Sequence, residues 1–524
     1  MQAWSLTVDR FLDHAATWHG RVPVITAGST GEDAVIGYAD LKARAERLSG
    51  AFLDLDLETG GLRPGDRLAT LAWNTQHHVE VWYAAMGVGI VCHTLNPRLT
   101  VAHLAAMITE AGDRVLIVGQ GLGDLGRDLM AACPCIERLI LMDGDAAEAE
   151  SEIEIETLLE QSGRTAAWGG FDENTPAGLC FTSGTTGAPK GVLYTHRANY
   201  LSTLRCLQAD ALALTGSDAV LVAVPMFHAN AWGLPFAAAA AGAAMVLPGR
   251  ATDGQSLARL ITAHGVTVAM GVPTVWIGLI DYLDASGEET PSLERVVVGG
   301  SGIADSLLKR IEDRLGATVQ TSWGMTELSP MGTISPPART PGAAKASGRA
   351  PAGLDMKLFD ADGVALAGQR NVVGHLKVRG HSVVERYYGH AETALDADGW
   401  FDTGDLAEID EAGNLTLSGR SKDLIKSGGE WINPAEMESI VGALPSVGLV
   451  AVIGRFDAKW GERPVMVIEP RQGHAVNDND VLAALRGRVA DWWLPDRIVS
   501  VLAMPLAATG KINKTQLRAT YGAA

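Results

Sequence analysis

Short apolar runs of strand type recur at residues 67–72, 114–118, 138–142, 219–225, 266–270 and 295–298, and Ala/Leu-rich stretches of helical period, such as 38–52 and 101–111, lie between them. Alternation of this kind gives strand–helix–strand units, which pack as parallel sheets covered by helices. Beyond residue 348 the texture changes. Short strands at 356–360, 374–379, 406–409 and 415–419 are separated by Asp-Gly and Ala-Gly-Asn turns, which predicts an antiparallel β subdomain at about 348–420. From Ser421 the α/β texture returns, with a Gly-Gly turn, a helix opening at Asn433-Pro434 and strands at 449–454 and 464–469. The expected fold class is therefore α/β with an antiparallel β subdomain: a large N-terminal domain of stacked α/β subdomains, residues 1–420, and a small C-terminal α+β domain, residues 421–524.

A chain of 524 residues with 47% hydrophobic side chains can bury several cores, about three or four structural units. The net charge of −19 argues against nucleic acid or an anionic membrane as partner. That charge is unevenly placed, with thirty basic against fifty acidic residues up to Arg420 and twelve against eleven after it. The acidity belongs to the large domain, and the small one is nearly neutral. Five cysteines, Cys92, Cys133, Cys135, Cys180 and Cys206, follow no disulfide framework or zinc spacing and read as thiols of a reducing compartment. Residues 1–10 lack the basic start and apolar core of an export signal, so a cytoplasmic location is expected. The uncharged run at 231–249 has the length of a membrane span, but its Ala/Gly composition and its prolines, Pro235 and Pro248, favour a buried, closely packed helix.

Two glycine-rich loops carry possible phosphate chemistry. In the first, the strand 114–118 runs into Gly121-Leu-Gly123-Asp-Leu-Gly126, and Asp143 ends the next strand. That is the layout of a dinucleotide fingerprint and would suit an oxidoreductase, although a plain strand-to-helix turn has the same form. The second loop, Phe181-Thr-Ser-Gly-Thr-Thr-Gly-Ala-Pro-Lys190-Gly191, puts hydroxyls, glycines and a lysine after an apolar strand. It is rich in donors suited to a polyphosphate, and its spacing is not that of a Walker A loop.

The second loop resembles the phosphate loop of the adenylate-forming superfamily, which includes acyl-CoA synthetases, luciferases and peptide-synthetase adenylation domains. Further motifs of that family follow in order: Pro225-Met-Phe-His228, Trp323-Gly-Met-Thr-Glu327, Gly399-Trp-Phe-Asp-Thr-Gly-Asp405, Gly419-Arg420-Ser-Lys422-Asp-Leu-Ile-Lys426-Ser-Gly-Gly-Glu430 and Ala508-Thr-Gly510-Lys511. The resemblance implies an AMP-forming acyl-CoA synthetase that uses ATP, Mg²⁺ and coenzyme A. Its carboxylate substrate attacks ATP to give acyl-AMP and pyrophosphate, and the CoA thiol then displaces AMP. By the same resemblance Lys511 and Glu327 are catalytic, and Glu327 is also the metal ligand. ATP or AMP contacts fall to Thr182, Ser183, Gly184, Thr185, Thr186, Gly187 and Lys190, to Gly300 and Ser301, and to Thr321, Ser322, Trp323, Gly324, Met325 and Thr326. Asp405 and Arg420 face the ribose and phosphate, with Lys426, Trp431 and Lys511 on the phosphate side. Ser427, Gly428, Gly429 and Glu430 would meet CoA after the small domain swings about a hinge at Lys422.

His228, Trp232, Gly299 and Trp323 line the implied acyl site, with Trp232 as the gate seen in the fatty-acyl branch. Trp323 stands where most fatty-acyl members carry tyrosine, and its bulk implies a shortened space. The pattern is most similar to short- and medium-chain or methylmercaptopropionate-CoA ligases, with long-chain ligases as the alternative and an oxidoreductase as the reading from another class. No nucleic acid or transmembrane segment is expected, and the fatty-acyl branch points to a homodimer. Lys422, Lys426 and Lys511 all lie in the near-neutral small domain, which delivers positive charge locally to the polyanionic substrates.

Overall fold

The computed structural model describes the chain except residues 29–30, 183–188, 302, 304, 338–345, 429, 508–509 and 524. Among the described residues the strands form four sheets. A seven-stranded sheet runs in the order Glu152–Glu154, Arg138–Leu141, Val115–Val118, Arg67–Leu71, Val91–Leu95, Pro176–Phe181, Gly191–Thr195, parallel throughout except for its last pair. An eight-stranded sheet has a parallel interior, including Ala219–Val222, Val268–Gly271 and Arg295–Val298. It ends in antiparallel edges at Ala34–Gly37 and Met331–Ile334. The apolar runs expected as strands are these buried parallel strands, which are hydrophobic on both faces because helices cover both.

The two parallel sheets share a continuous core built on Tyr38, Trp82, Tyr83 and Phe236. Local signals set the covering helices. Thr100 caps Val101–Ala111 by accepting from the His103 amide, and Gly112, at φ 66°, ends it. The uncharged run at 231–249 is not one helix. It divides into a turn at Ala229–Gly233, the helix Leu234–Ala241 and the strand Ala244–Leu247. The helix is apolar all round because Trp82 and Tyr83 pack on Phe236 from one side and the sheet closes the other. Among the described residues no helix is long and apolar enough to cross a membrane.

The antiparallel subdomain is a four-stranded meander, Leu354–Phe359, Val373–Gly380, Phe401–Ile409 and Leu415–Arg420. Ile425–Ser427 and Glu430–Ile432 then open the last sheet, with Val447–Asp457, Gly461–Pro470 and Arg497–Ser500. Gly348 joins the meander to the eight-stranded sheet: its carbonyl accepts from the Leu415 amide, and Arg349 bridges Ile334. At φ 82°, a Cβ added there would lie 1.9 Å from the Ile334 carbonyl carbon. Gly348→Ala should cost about 2–4 kcal/mol from left-handed strain plus overpacking, seen as an earlier thermal unfolding transition.

Candidate active site

The motif residues gather at the C-terminal ends of the parallel strands, where open α/β sheets place their ligand crevice. Thr182 follows Pro176–Phe181, His228 follows Ala219–Val222, Gly299 and Gly300 follow Arg295–Val298, and Trp323 and Gly324 end Thr318–Gly324. Thr182 and Lys190 close the base of the glycine-rich loop through two hydrogen bonds, of 2.9 and 3.2 Å. Ser183, Gly184, Thr185, Thr186 and Gly187 lie outside the described residues.

Lys190 reaches the rest of the site through a tyrosine that no motif reading singled out. Its ammonium lies 4.7 Å from the centre of the Tyr387 ring, and the Tyr387 hydroxyl donates to Glu327 at 3.0 Å. Burial pushes the Tyr387 phenol up, and the neighbouring Glu327 charge adds to the shift. Glu327 is buried in the short turn Thr326–Leu328, whose Thr326 carbonyl accepts from Tyr194 at 2.9 Å. One carboxylate beside the Thr326 hydroxyl suits a Mg²⁺ ion that keeps water and phosphate oxygens as its other ligands. Among the described residues no cluster of three metal-ligating side chains exists.

Asp405 is 3% exposed, and two groups meet at its carboxylate. The Trp323 indole donates to one oxygen at 2.9 Å, and the Arg420 guanidinium pairs with the other at 2.8 Å. The strand pairing itself sets Asp405 opposite Arg420. Burial raises the Asp405 pKa, opposed by Arg420, Trp323 and Lys511. The Trp323 ring is committed to Asp405 and to the face of Gly332, where a Cβ would lie 2.4 Å from it. These contacts fix the indole between Asp405 and Gly332.

Lys511 enters this site from the C-terminal part of the chain. Its Cε would lie 3.6 Å from a Cβ on Gly300, and the Gly510 carbonyl accepts from Thr274 at 3.5 Å. Burial pushes its ammonium below the ordinary lysine value and Arg420 repels it further, while Asp405 and Glu327 pull the other way. His228 is neutral: burial, and then the Lys511 charge, push its pKa down to about 3. Trp232 reaches the end of Arg295–Val298, its ring edge 3.1 Å from a Cβ built on Gly299, so any side chain there would crowd the ring. A Cβ on Gly299 would also fall 2.3 Å from Ser322 Oγ.

The turn that presents Trp232 is left-handed over five consecutive residues, Ala229 to Gly233, with φ between 44° and 78°. Left-handed geometry costs a non-glycine residue about 1–2 kcal/mol and is ordinarily confined to single residues.

Other expected residues are placed elsewhere or committed to neighbours. Thr321 bonds Ser335 and the Ala346 carbonyl, and the Met325 amide bonds the Pro330 carbonyl, so both brace the edge of the sheet. Ser301 is exposed. Lys426 and Trp431 face each other across a strand pair as an exposed cation–π contact, 5.4 Å apart. Ser427 and Gly428 bond Arg463 and the Trp460 carbonyl within their own sheet, while Glu430 is exposed and Gly429 lies outside the described residues. Lys422 is exposed in the turn Ser421–Asp423, which directly follows Arg420.

The first glycine-rich loop is filled by the protein itself. The Asp145 carboxylate accepts from the amides of Gly121, Leu122 and Gly123 at 3.0–3.2 Å, taking the place a dinucleotide phosphate would need. Asp143 is bound to His77 at 2.6 Å and to Thr75, and Gly126 packs against Val118 and Leu139. The fingerprint is a packing turn.

The model for AMP-binding enzymes matches residues 11–388, and that for the AMP-binding enzyme C-terminal domain matches residues 436–511. The chain belongs to the AMP-binding enzyme family. It is 39% identical to a 3-methylmercaptopropionyl-CoA ligase of Ruegeria lacuscaerulensis over 99% of this chain and 98% of that protein. It is also 39% identical to a medium-chain-fatty-acid–CoA ligase of Ectopseudomonas oleovorans, over 99% and 96%. ATP-bound MatB from Rhodopseudomonas palustris superposes with a TM-score of 0.84 at 26% identity, covering 99% of both chains. In this AMP-binding enzyme, Tyr387 was out of reach of motif reading because only folding sets it between Lys190 and Glu327. An NMR titration of ¹³C-methylated lysines should find Lys511 below the usual value of about 10.4. Arg420→Gln should move it upward, since that change removes a like charge and frees Asp405 to attract the ammonium.

Proposed function

We propose that this enzyme, an AMP-forming carboxylate–CoA ligase, activates short- to medium-chain acids, including thioether acids such as 3-methylmercaptopropionate, and passes the acyl group to coenzyme A. The convergence of Lys511, Asp405 and Arg420 beside Glu327 and Lys190 carries this reading. The relatives that handle 3-methylmercaptopropionyl and medium-chain acyl groups support the substrate class.

In the first step a carboxylate oxygen attacks the α-phosphorus of ATP. A carboxyl–phosphorus bond forms, the α–β anhydride breaks, and pyrophosphate leaves. Two anions must meet, so positive charge in a desolvated cleft lowers the barrier. Lys511 would hold the carboxylate and α-phosphate together, with Lys190 and the loop from Thr182 cradling the β- and γ-phosphates. Asp405 accepts from the ribose hydroxyls through its remaining lone pairs, kept in orientation by Trp323 and Arg420. Glu327 would hold Mg²⁺, which when bound neutralises charge on the phosphates. Neutral His228 and the Trp232 ring would border the acyl group.

In the second step the CoA sulfur attacks the acyl carbonyl, its proton leaves to solvent, the thioester forms and AMP departs. Lys511 now sits at the body while Ser427 and Gly428 bond within their own sheet, an arrangement suited to adenylation. Rotation of residues 421–524 about Lys422, against a body of residues 1–420, would exchange the two and bring Ser427–Glu430 to the thiol path. A cytoplasmic home fits the five unpaired cysteines, and we expect a homodimer, as in the fatty-acyl branch.

Pyrophosphate release should require both ATP and a carboxylate, and release without carboxylate would overturn the assignment. Lys511→Ala should cut adenylation by about 10²–10³-fold, the cost of removing one preorganised charge. It should leave thioester formation from supplied acyl-AMP within a few-fold of normal, and equal loss in both assays would reject the assigned role. Across straight-chain acids of three to twelve carbons and thioether acids, the optimum should fall at or below medium length. Trp232→Ala should shift it to longer chains, and a long-chain optimum in the unaltered enzyme would support the long-chain alternative instead.

A further inference from the structure

Asn74 follows the strand Arg67–Leu71 of the seven-stranded sheet, but its side chain serves the eight-stranded one. It is 4% exposed. Its amide nitrogen donates to the carbonyls of Val222 and Val224 at 2.7 and 2.8 Å, and its amide oxygen accepts from the Met226 N–H at 2.7 Å. Both donor hydrogens are therefore used on one short segment of chain. The Asn74 carbonyl also accepts from Gly249, and the adjacent Trp73 ring meets Phe227 edge-on at 6.1 Å. Residues 73 and 74 thus grip residues 222–227 at four points and Gly249 at a fifth.

What that segment carries explains why such a grip is needed. Met226 and Phe227 lead directly into His228 and the left-handed turn Ala229–Gly233, whose Trp232 ring covers Gly299. A run of strained residues persists only where its surroundings over-determine it. The His228 amide bonds the Pro225 carbonyl and the Ala231 amide bonds the His228 carbonyl, so the turn is built outward from the segment that Asn74 holds. Removing the Asn74 amide would strand two carbonyls and one N–H in the interior and release the base of the turn.

We infer that Asn74 is a positioning residue for acyl recognition: it clamps residues 222–226 so that the strained turn keeps His228 and Trp232 in place at Gly299. This rests on the assignment of His228 and Trp232 to the acyl end of the site. Asn74 touches no substrate; it acts through the backbone.

The test uses Asn74→Ala in the full-length enzyme, with carboxylate-dependent ATP–pyrophosphate exchange measured over acids of three to twelve carbons. The carboxylate KM should rise at least tenfold and the chain-length preference should flatten, while the KM for ATP stays within threefold. Adding Ala229→Gly should recover at least threefold of the carboxylate KM, because glycine takes positive φ without strain. Unchanged carboxylate KM and chain-length preference, with loss confined to thermal stability or to kcat, would overturn the inference. If Asn74→Ala does not fold, Asn74→Ser is judged by the same readouts, and failure of both to fold assigns Asn74 to the fold alone and rejects it. An unaltered enzyme that releases no carboxylate-dependent pyrophosphate refutes the ligase reading instead.

Discussion

A lysine ammonium taken out of water must be compensated, and that requirement organises this molecule. Lys511 arrives from the last stretch of the chain and is buried with its Cε beside Gly300, while the preceding Gly510 meets Val272 and Thr274. It is tolerable there because Asp405 and Glu327 supply opposite charge, although Arg420 opposes them. The balance leaves the ammonium less stable than in water and ready to bind anions. A bound anion beside it would favour the charged form.

The positions of those charges depend on the backbone. Asp405 and Arg420 face each other because two antiparallel strands pair in that register, and Trp323 reaches Asp405 from the end of a parallel strand in a different sheet. This part of the site is therefore a junction of two sheets, which Gly348 joins at a point too tight for any side chain. The opposite wall depends on Asn74, which ties the two parallel sheets together where their C-terminal ends meet.

Much of this was legible in the residues. The parallel strands are uninterrupted apolar runs, and the helix at Val101–Ala111 is bounded by a threonine cap and a glycine stop. The uncharged run at 231–249 was harder, because helix and strand segments are equally apolar once both are buried, and Gly233 and Gly242 divide it only in the folded chain. The first glycine-rich loop was ambiguous for a related reason. Its spacing is that of a phosphate turn, but the anion it binds is Asp145, two dozen residues away. The size of Trp323 was legible in the sequence, but the bond from its N–H to Asp405 appears only in the fold.

The sequence by itself determined the layer type, the order of the elements and the chemical identity of the motif residues, because hydrophobic period, caps and charged side chains are local properties. Tertiary structure alone decided which of those residues meet. Tyr387 lies between Lys190 and Glu327, Asp145 fills the false phosphate turn, and Asn74 holds a strained turn some 150 positions away. Each of these contacts depends on strand register and sheet packing, which are set by the whole core and by no window of sequence.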